Sequence, residues 1–199
     1  LIKKQRVMKK ILFVAALMLS SVSTFAQHAV GSFNLQPKVG VSIANLTEFK
    51  GTDPRVGVVA GVEGEYQASD IFSVSAGVLY SMQGAKGNIG NFIDATNRLD
   101  YINVPIMANV YVVKGLAVKL GVQPGFNVSN KLKVNNLDAF DNPVVKAQSV
   151  DVSIPVGLSY EYNNFQLDAR YNWGVSKAFK WSDAKNSVFQ ITLGYKFDL

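Results

Sequence analysis

"SVDVSIPVGLSYEYNNFQLDARYNWGVS", Ser149 to Ser176, decides the fold. Val150, Val152, Ile154, Val156, Leu158, Tyr160 and Tyr162 alternate with Asp151, Ser153, Pro155, Gly157, Ser159 and Glu161. After Asn163-Asn164 the alternation restarts. Phe165, Leu167, Ala169, Tyr171, Trp173 and Val175 are then set against Gln166, Asp168, Arg170, Asn172, Gly174 and Ser176. Period two is the signature of a β-strand, because successive side chains point to opposite faces. Two such runs joined by Asn-Asn, residues that tolerate positive φ, read as a hairpin. One face is wholly apolar and the other carries charge, so each face needs a different neighbour.

The same alternation continues on both sides. Eight runs are expected: Phe33 to Ala44, Arg55 to Ala68, Ile71 to Gln83, Leu99 to Val113, Leu116 to Ser129, the two quoted, and Ser187 to Leu199. They are about 12 to 15 residues long. A typical soluble strand has roughly 5–6 residues, whereas a tilted strand that crosses a bilayer needs about 9–11 plus its wet ends. The connections alternate as well. Ser69-Asp70, Lys114-Gly115 and Asn163-Asn164 are tight turns. Asn45 to Pro54, Gly84 to Arg98, Asn130 to Ala147 and Lys177 to Asn186 are expected as long polar loops. Short turns at one end and long loops at the other is the pattern of outer-membrane barrels. The expected fold is therefore all-β, an eight-stranded antiparallel up-and-down transmembrane β-barrel with short periplasmic turns and longer extracellular loops. A soluble sandwich or lipocalin-like barrel also alternates, but loop asymmetry, strand length and an outer face without charge argue against it.

In such a barrel the apolar face meets lipid and the polar face lines the lumen. Aromatics gather near the expected strand ends, Tyr66, Phe72, Tyr162, Phe165, Tyr195 and Phe197 at one interface and Tyr80, Phe126 and Trp173 at the other. The lumen face carries Lys38, Glu63, Glu65, Lys119, Asp151, Glu161, Asp168, Arg170, Lys196 and Asp198. An eight-stranded barrel is just wide enough for side chains to fill, and buried charges are costly unless paired. Lys38 and Glu63 fall at similar height, as do Asp168 and Lys196, and Arg170 can reach Glu63 or Glu65 across the lumen. With Lys119 these residues are expected to form a structural ion-pair network that plugs the barrel. Glu161 and Asp198 are expected to be solvated near the rim. Gly40, Gly61, Gly77, Gly121, Gly157 and Gly194 all fall on the same polar face, where they make room beside long charged side chains.

The 199 residues carry a formal charge of +6, which at first suggests a nucleic-acid partner. Five of the cations, Lys3, Lys4, Arg6, Lys9 and Lys10, sit ahead of the apolar run Ile11 to Leu19 and the small-residue stretch that ends Thr24-Phe25-Ala26. That order is a secretory signal peptide, with cleavage expected after Ala26. Met8 begins a better leader than Leu1. Residues 1–26 are thus read as an N-terminal extension plus leader, and residues 27–199 as the barrel domain. Without the leader 15 basic residues face 14 acidic ones, so the charge argument for nucleic acid disappears. The chain has no cysteine, hence no disulfide framework and no lipidation cysteine.

The stretch "LDYINVPIMANVYVVKGLAVKLGVQPGFNVS", with Pro105 inside the fourth run, the closing "FQITLGYKF" and the leader's "FAQ" resemble the outer-membrane β-barrel domain family of Bacteroidota, the small porin-like or PorT-like eight-stranded group. The likeness spans the mature chain from about Phe33. It implies a place in the outer membrane of a Gram-negative cell, against lipid and lipopolysaccharide, reached through the outer-membrane assembly machinery. The closing strand is similar to that machinery's recognition signal, although it ends Asp198-Leu199 rather than on the aromatic. Some members of the family serve protein secretion.

Catalytic chemistry is not indicated. His28 is the only histidine and precedes the barrel, so a Ser-His-Asp arrangement lacks its base within the fold. One His and no Cys leave no zinc cluster, and no cofactor is expected. Asp138 and Asp141 in "NNLDAFDN" resemble half of a calcium loop without its Gly and closing Glu. Phe179 and Trp181, flanked by lysines in "KAFKWSDAKN", are candidates for a surface contact, or else pack on the rim as girdle aromatics. The expected role is structural or surface-interacting, through the outer loops. A small solute channel and an accessory barrel of a secretion apparatus are the competing roles.

Overall fold

Asn163 and Asn164 adopt φ of 48° and 67°, the left-handed pair whose twist matches that of the flanking strands. The computed structural model describes residues 28–47, 52–89, 93–134, 137–139, 148–178 and 184–199. Among them the chain is all-β: β1 (Phe33–Leu46), β2 (Thr52–Ser69), β3 (Phe72–Ile89), β4 (Ile93–Asn103), β5 (Ile106–Val113), β6 (Leu116–Val134), β7 (Leu137–Ala139), β8 (Val150–Tyr162), β9 (Phe165–Gly174), β10 (Asn186–Tyr195) and β11 (Phe197–Asp198). Each segment pairs antiparallel with its neighbour in the chain order β1, β2, β3, β4 with β5, β6, β8, β9, β10. β10 then pairs with β1, from Lys38 opposite Gly194 to Leu46 opposite Asn186. The result is a closed ring of eight staves. A ring has no edge, so each strand's polar backbone finds a partner without water.

Two staves are interrupted. β4 and β5 make one, broken at Val104-Pro105, where the fourth run was expected to be continuous. Proline has no amide hydrogen to give the ladder. Its carbonyl still accepts from Gly77 N at 3.1 Å, and Val104 N donates to the Pro124 carbonyl at 2.8 Å, so pairing resumes past the break. β10 and β11 make the other, broken at Lys196, whose amide donates to the Asn164 carbonyl at 2.8 Å.

The staves are also longer at the loop end than the alternation predicted. β3 and β4 stay in register from Gly84 opposite Arg98 to Ile89 opposite Ile93. Much of the expected loop Gly84 to Arg98 is therefore a β-hairpin. β6 likewise continues past Ser129 to Val134, and β7 pairs back onto it. A strand that is polar on both faces carries no period-two signal, yet its ladder forms as readily. Gly84 is required there: its φ is 119°, and a Cβ would collide with the Asn97 carbonyl.

Burial is inverted relative to a soluble protein. Leu120, Leu158, Leu193 and Trp173 are each more than half exposed, while Arg170, Lys119 and Lys196 are at most 1% exposed. Not all of the interior is polar. Leu79 and Met107 are buried inside, and Leu46, Ala85, Leu99, Tyr101, Ala178 and Ala184 form an apolar cluster at the loop end. The inward glycines allow this crowding. A Cβ on Gly157 would stand 2.9 Å from the Arg170 Cβ and 2.6 Å from the Ala169 carbonyl oxygen. At the turn end Phe165 and Tyr195 stack edge to face at 4.9 Å, and Tyr195 and Phe197 at 4.8 Å.

Leu120 lies mid-stave on the outer face, so Leu120→Arg should cost about 2–4 kcal/mol in a bilayer. Urea unfolding in lipid vesicles measures this. An unchanged midpoint would mean that this face does not meet lipid.

Candidate functional site: the ionic core of the lumen

Inward parity on five segments aims most of the charged residues at one axis. β1 supplies Lys38, β2 Glu63 and Glu65, β6 Lys119, β8 Glu161, and β9 Asp168 and Arg170. Lys196 enters from the break between β10 and β11.

The central group is built on two carboxylates. Lys38 Nζ lies 2.5 Å from Glu63 Oε2 and 3.2 Å from Asp168 Oδ2. Lys119 Nζ lies 2.8 Å from Asp168 Oδ2 and 3.8 Å from Glu63 Oε2. Arg170 grips Asp168 with both Nε and Nη2, at 3.0 and 2.7 Å, the two-pronged geometry that suits a guanidinium. Its Nη1 is 2.9 Å from Glu63 Oε1, a close charge contact rather than an aligned hydrogen bond. Gly77 and Gly157 lie against Glu63 and Arg170, where a side chain would displace either one.

A second group lies nearer the tight turns. Lys196 Nζ is 2.9 Å from Glu65 Oε2 and 2.7 Å from Glu161 Oε2. Tyr111 and Ser73 donate their hydroxyls to Glu65 Oε1 at 2.6 and 2.5 Å. Lys38, Lys119, Arg170 and Lys196 thus face Glu63, Glu65, Glu161 and Asp168, four cations against four carboxylates. The set carries no net charge.

The sequence reading and the geometry differ in three places. Asp168 meets Lys38, Lys119 and Arg170, not Lys196, because Lys196 sits a full layer nearer the turns, beside Glu65 and Glu161. Glu161 is buried rather than solvated at the rim. His28, set aside as lying before the barrel, reaches the inner carboxylates at the turn end: its Nε2 is 2.9 Å from Glu161 Oε1 and its Nδ1 2.9 Å from Asp198 Oδ1. The parity of Glu161 within its strand could have signalled its burial. Nothing in the sequence could have placed His28, since it belongs to no alternating run. Asp198, on the inward list, is mostly exposed beyond its contact with His28. Phe179, Trp181 and Asp141 lie outside the described residues. Among the described residues no three or more His, Asp or Glu side chains converge as a metal site.

Both ring nitrogens of His28 face carboxylate oxygens, and only the doubly protonated imidazolium can donate to both. Its pKa is raised above the ordinary 6.5, first by the hydrogen bond to Glu161 and against the opposing effect of burial. The nearby charges of Glu161 and Asp198 raise it further while Lys196 lowers it.

The family described as outer membrane protein beta-barrel domain matches residues 25–180. No curated protein matches the chain. Several solved structures share its architecture, among them the following two. Neisserial surface protein A (NspA) aligns at TM-score 0.53 and 15% identity, over 83% of this chain and 97% of that one. The Yersinia pestis outer membrane protein Ail in a phospholipid bilayer nanodisc aligns at TM-score 0.52 and 15% identity, over 84% and 99%. At that identity the likeness concerns the fold alone.

Removing one member of a buried ion set leaves its partners uncompensated, at about 3–5 kcal/mol. Lys196→Met should fall in that range, and adding Glu65→Gln should restore part of it. Urea midpoints of the two variants check this, and a neutral Lys196→Met would show a wet, screened lumen. His28 gives a pH signature. Its folded-state pKa is raised, so its stabilisation is complete below the unfolded value and is lost as pH rises through the folded one. The wild type should lose its advantage over His28→Asn between mildly acidic and mildly alkaline buffer. Parallel pH profiles for the two would remove the clamp.

Proposed function

The chain belongs to the outer membrane protein beta-barrel domain family, and on that premise we propose that it is a barrel with a closed lumen that acts at the cell surface through its outer loops. The reading rests above all on the ionic core. Four cations and four carboxylates meet across the lumen, each within contact distance of an opposite charge. A solute or ion passing through would have to part charges that have little else to solvate them. The apolar cluster around Tyr101 covers the loop end, and His28 reaches the inner carboxylates at the turn end.

In this reading the tight turns face the periplasm and the long hairpins project outward. Residues 1–26 direct export and are removed. The assembly machinery inserts the barrel, whose apolar face then meets lipid and lipopolysaccharide. The hairpin of β3 with β4, and the loops between β1 and β2, between β6 and β8 and between β9 and β10, are what remains for a partner. The last of these carries Phe179 and Trp181, our candidates for contact. No catalytic step belongs to this reading.

Planar-bilayer conductance of refolded protein, with the closed barrel verified by its heat-dependent gel mobility, tests it. Silence is expected. Stable ohmic steps from folded barrels would mean a continuous water path and would replace the closed barrel with a small channel.

A further inference from the structure

The balanced charges of the lumen leave one buried carboxylate over. Asp151 lies at the loop end of β8, several layers from the ionic core, and is 6% exposed. Its Oδ1 accepts from Ser176 Oγ at 2.5 Å and its Oδ2 from Asn186 Nδ2 at 2.9 Å. Both donors are neutral. Among the described residues no Lys, Arg or His forms an ion pair with it.

Asp151 borders a cavity of about 10 Å³, shared with Asn103, Gln123, Asn172 and Asn186. That is room for one water or one small ion. The residues around the cavity carry polar atoms without a partner, three oxygens and two amide nitrogens. Gln123 Oε1, Asn172 Oδ1 and Asn186 Oδ1 have no partner, on side chains at most 3% exposed. The amide nitrogens of Asn103 and Asn172 are also unpartnered, and a half-turn of either amide exchanges nitrogen for oxygen. Groups this deeply buried normally have partners, so unpartnered atoms on four neighbouring side chains point to a ligand.

A buried carboxylate is neutralised by a proton or by a cation. A proton on Asp151 would satisfy at most one of the oxygens without a donor on Gln123, Asn172 and Asn186, whereas a cation can meet Asp151 and all three. The remaining solution is a hard cation among oxygen ligands. One carboxylate with neutral amide oxygens carries too little charge for a divalent ion and suits a monovalent one. We propose that Asp151, with Gln123, Asn172 and Asn186, binds a monovalent alkali cation of the sodium class. The site lies on the loop side of the ionic core, so it does not depend on whether the lumen conducts.

Rubidium chloride is the probe, used on the full barrel. Crystals of the wild type grown in it should show an anomalous peak in contact with Asp151. The wild type should also melt a few degrees higher in sodium or rubidium chloride than in choline chloride of equal ionic strength. Asp151→Asn should melt alike in all three. Absence of the peak, or equal melting of the wild type in all three salts, overturns the proposal. So does an infrared carboxylic-acid band in the wild type that Asp151→Asn removes, because the neutralising group is then a proton. The peak and the salt comparison need only the wild type, so the test stands even if the variant does not fold.

Discussion

β1 closes on β10, and that closure sets the width of the lumen. Eight antiparallel staves enclose a space that side chains can fill but that leaves little over. A wider ring would let water screen the inward charges and would tolerate a lone Lys or Glu. In this one each charged group must find its counterpart within a few ångströms. Gly77 and Gly157 follow from the same width, since neither Glu63 nor Arg170 could lie across the axis beside a larger neighbour. The break at Lys196 follows too. It turns that side chain into the layer of Glu65 and Glu161 while the backbone stays in contact with β9 through Asn164.

The ionic core is better understood as a specificity device than as a source of stability. Buried ion sets roughly repay their own desolvation, whereas losing one member leaves an uncompensated charge. Such a core does little to favour folding over unfolding, but it strongly penalises a wrong register. A slip of one residue in any stave would send Lys38, Glu63 or Arg170 into lipid and bring a Val or Leu into the lumen. The outer face, apolar throughout its middle, cannot discriminate registers by chemistry in this way. The inner face does so for both.

The strand pattern was legible because one rule, alternation, governs a stave with lipid on one side and protein on the other. It located all eight staves. It failed where both faces are polar, as along Gly84 to Arg98, because there the ladder persists without any contrast between faces. It also missed the breaks at Pro105 and Lys196. A missing N–H, or a local turn, changes the backbone while leaving side-chain parity intact.

The sequence by itself determined which residues face the lumen, since parity along a strand is a local property of the chain. By the same rule four cations and six carboxylates fall on that face. Partnership was decided only by the tertiary structure. Height along the axis depends on the stagger between neighbouring staves, and reach across the lumen depends on its closed diameter. Neither quantity is written in any single run. For that reason Asp168 could be placed inside the barrel but was assigned the wrong cation. For the same reason His28, outside every alternating run, became visible only once Glu161 and Asp198 stood on either side of it.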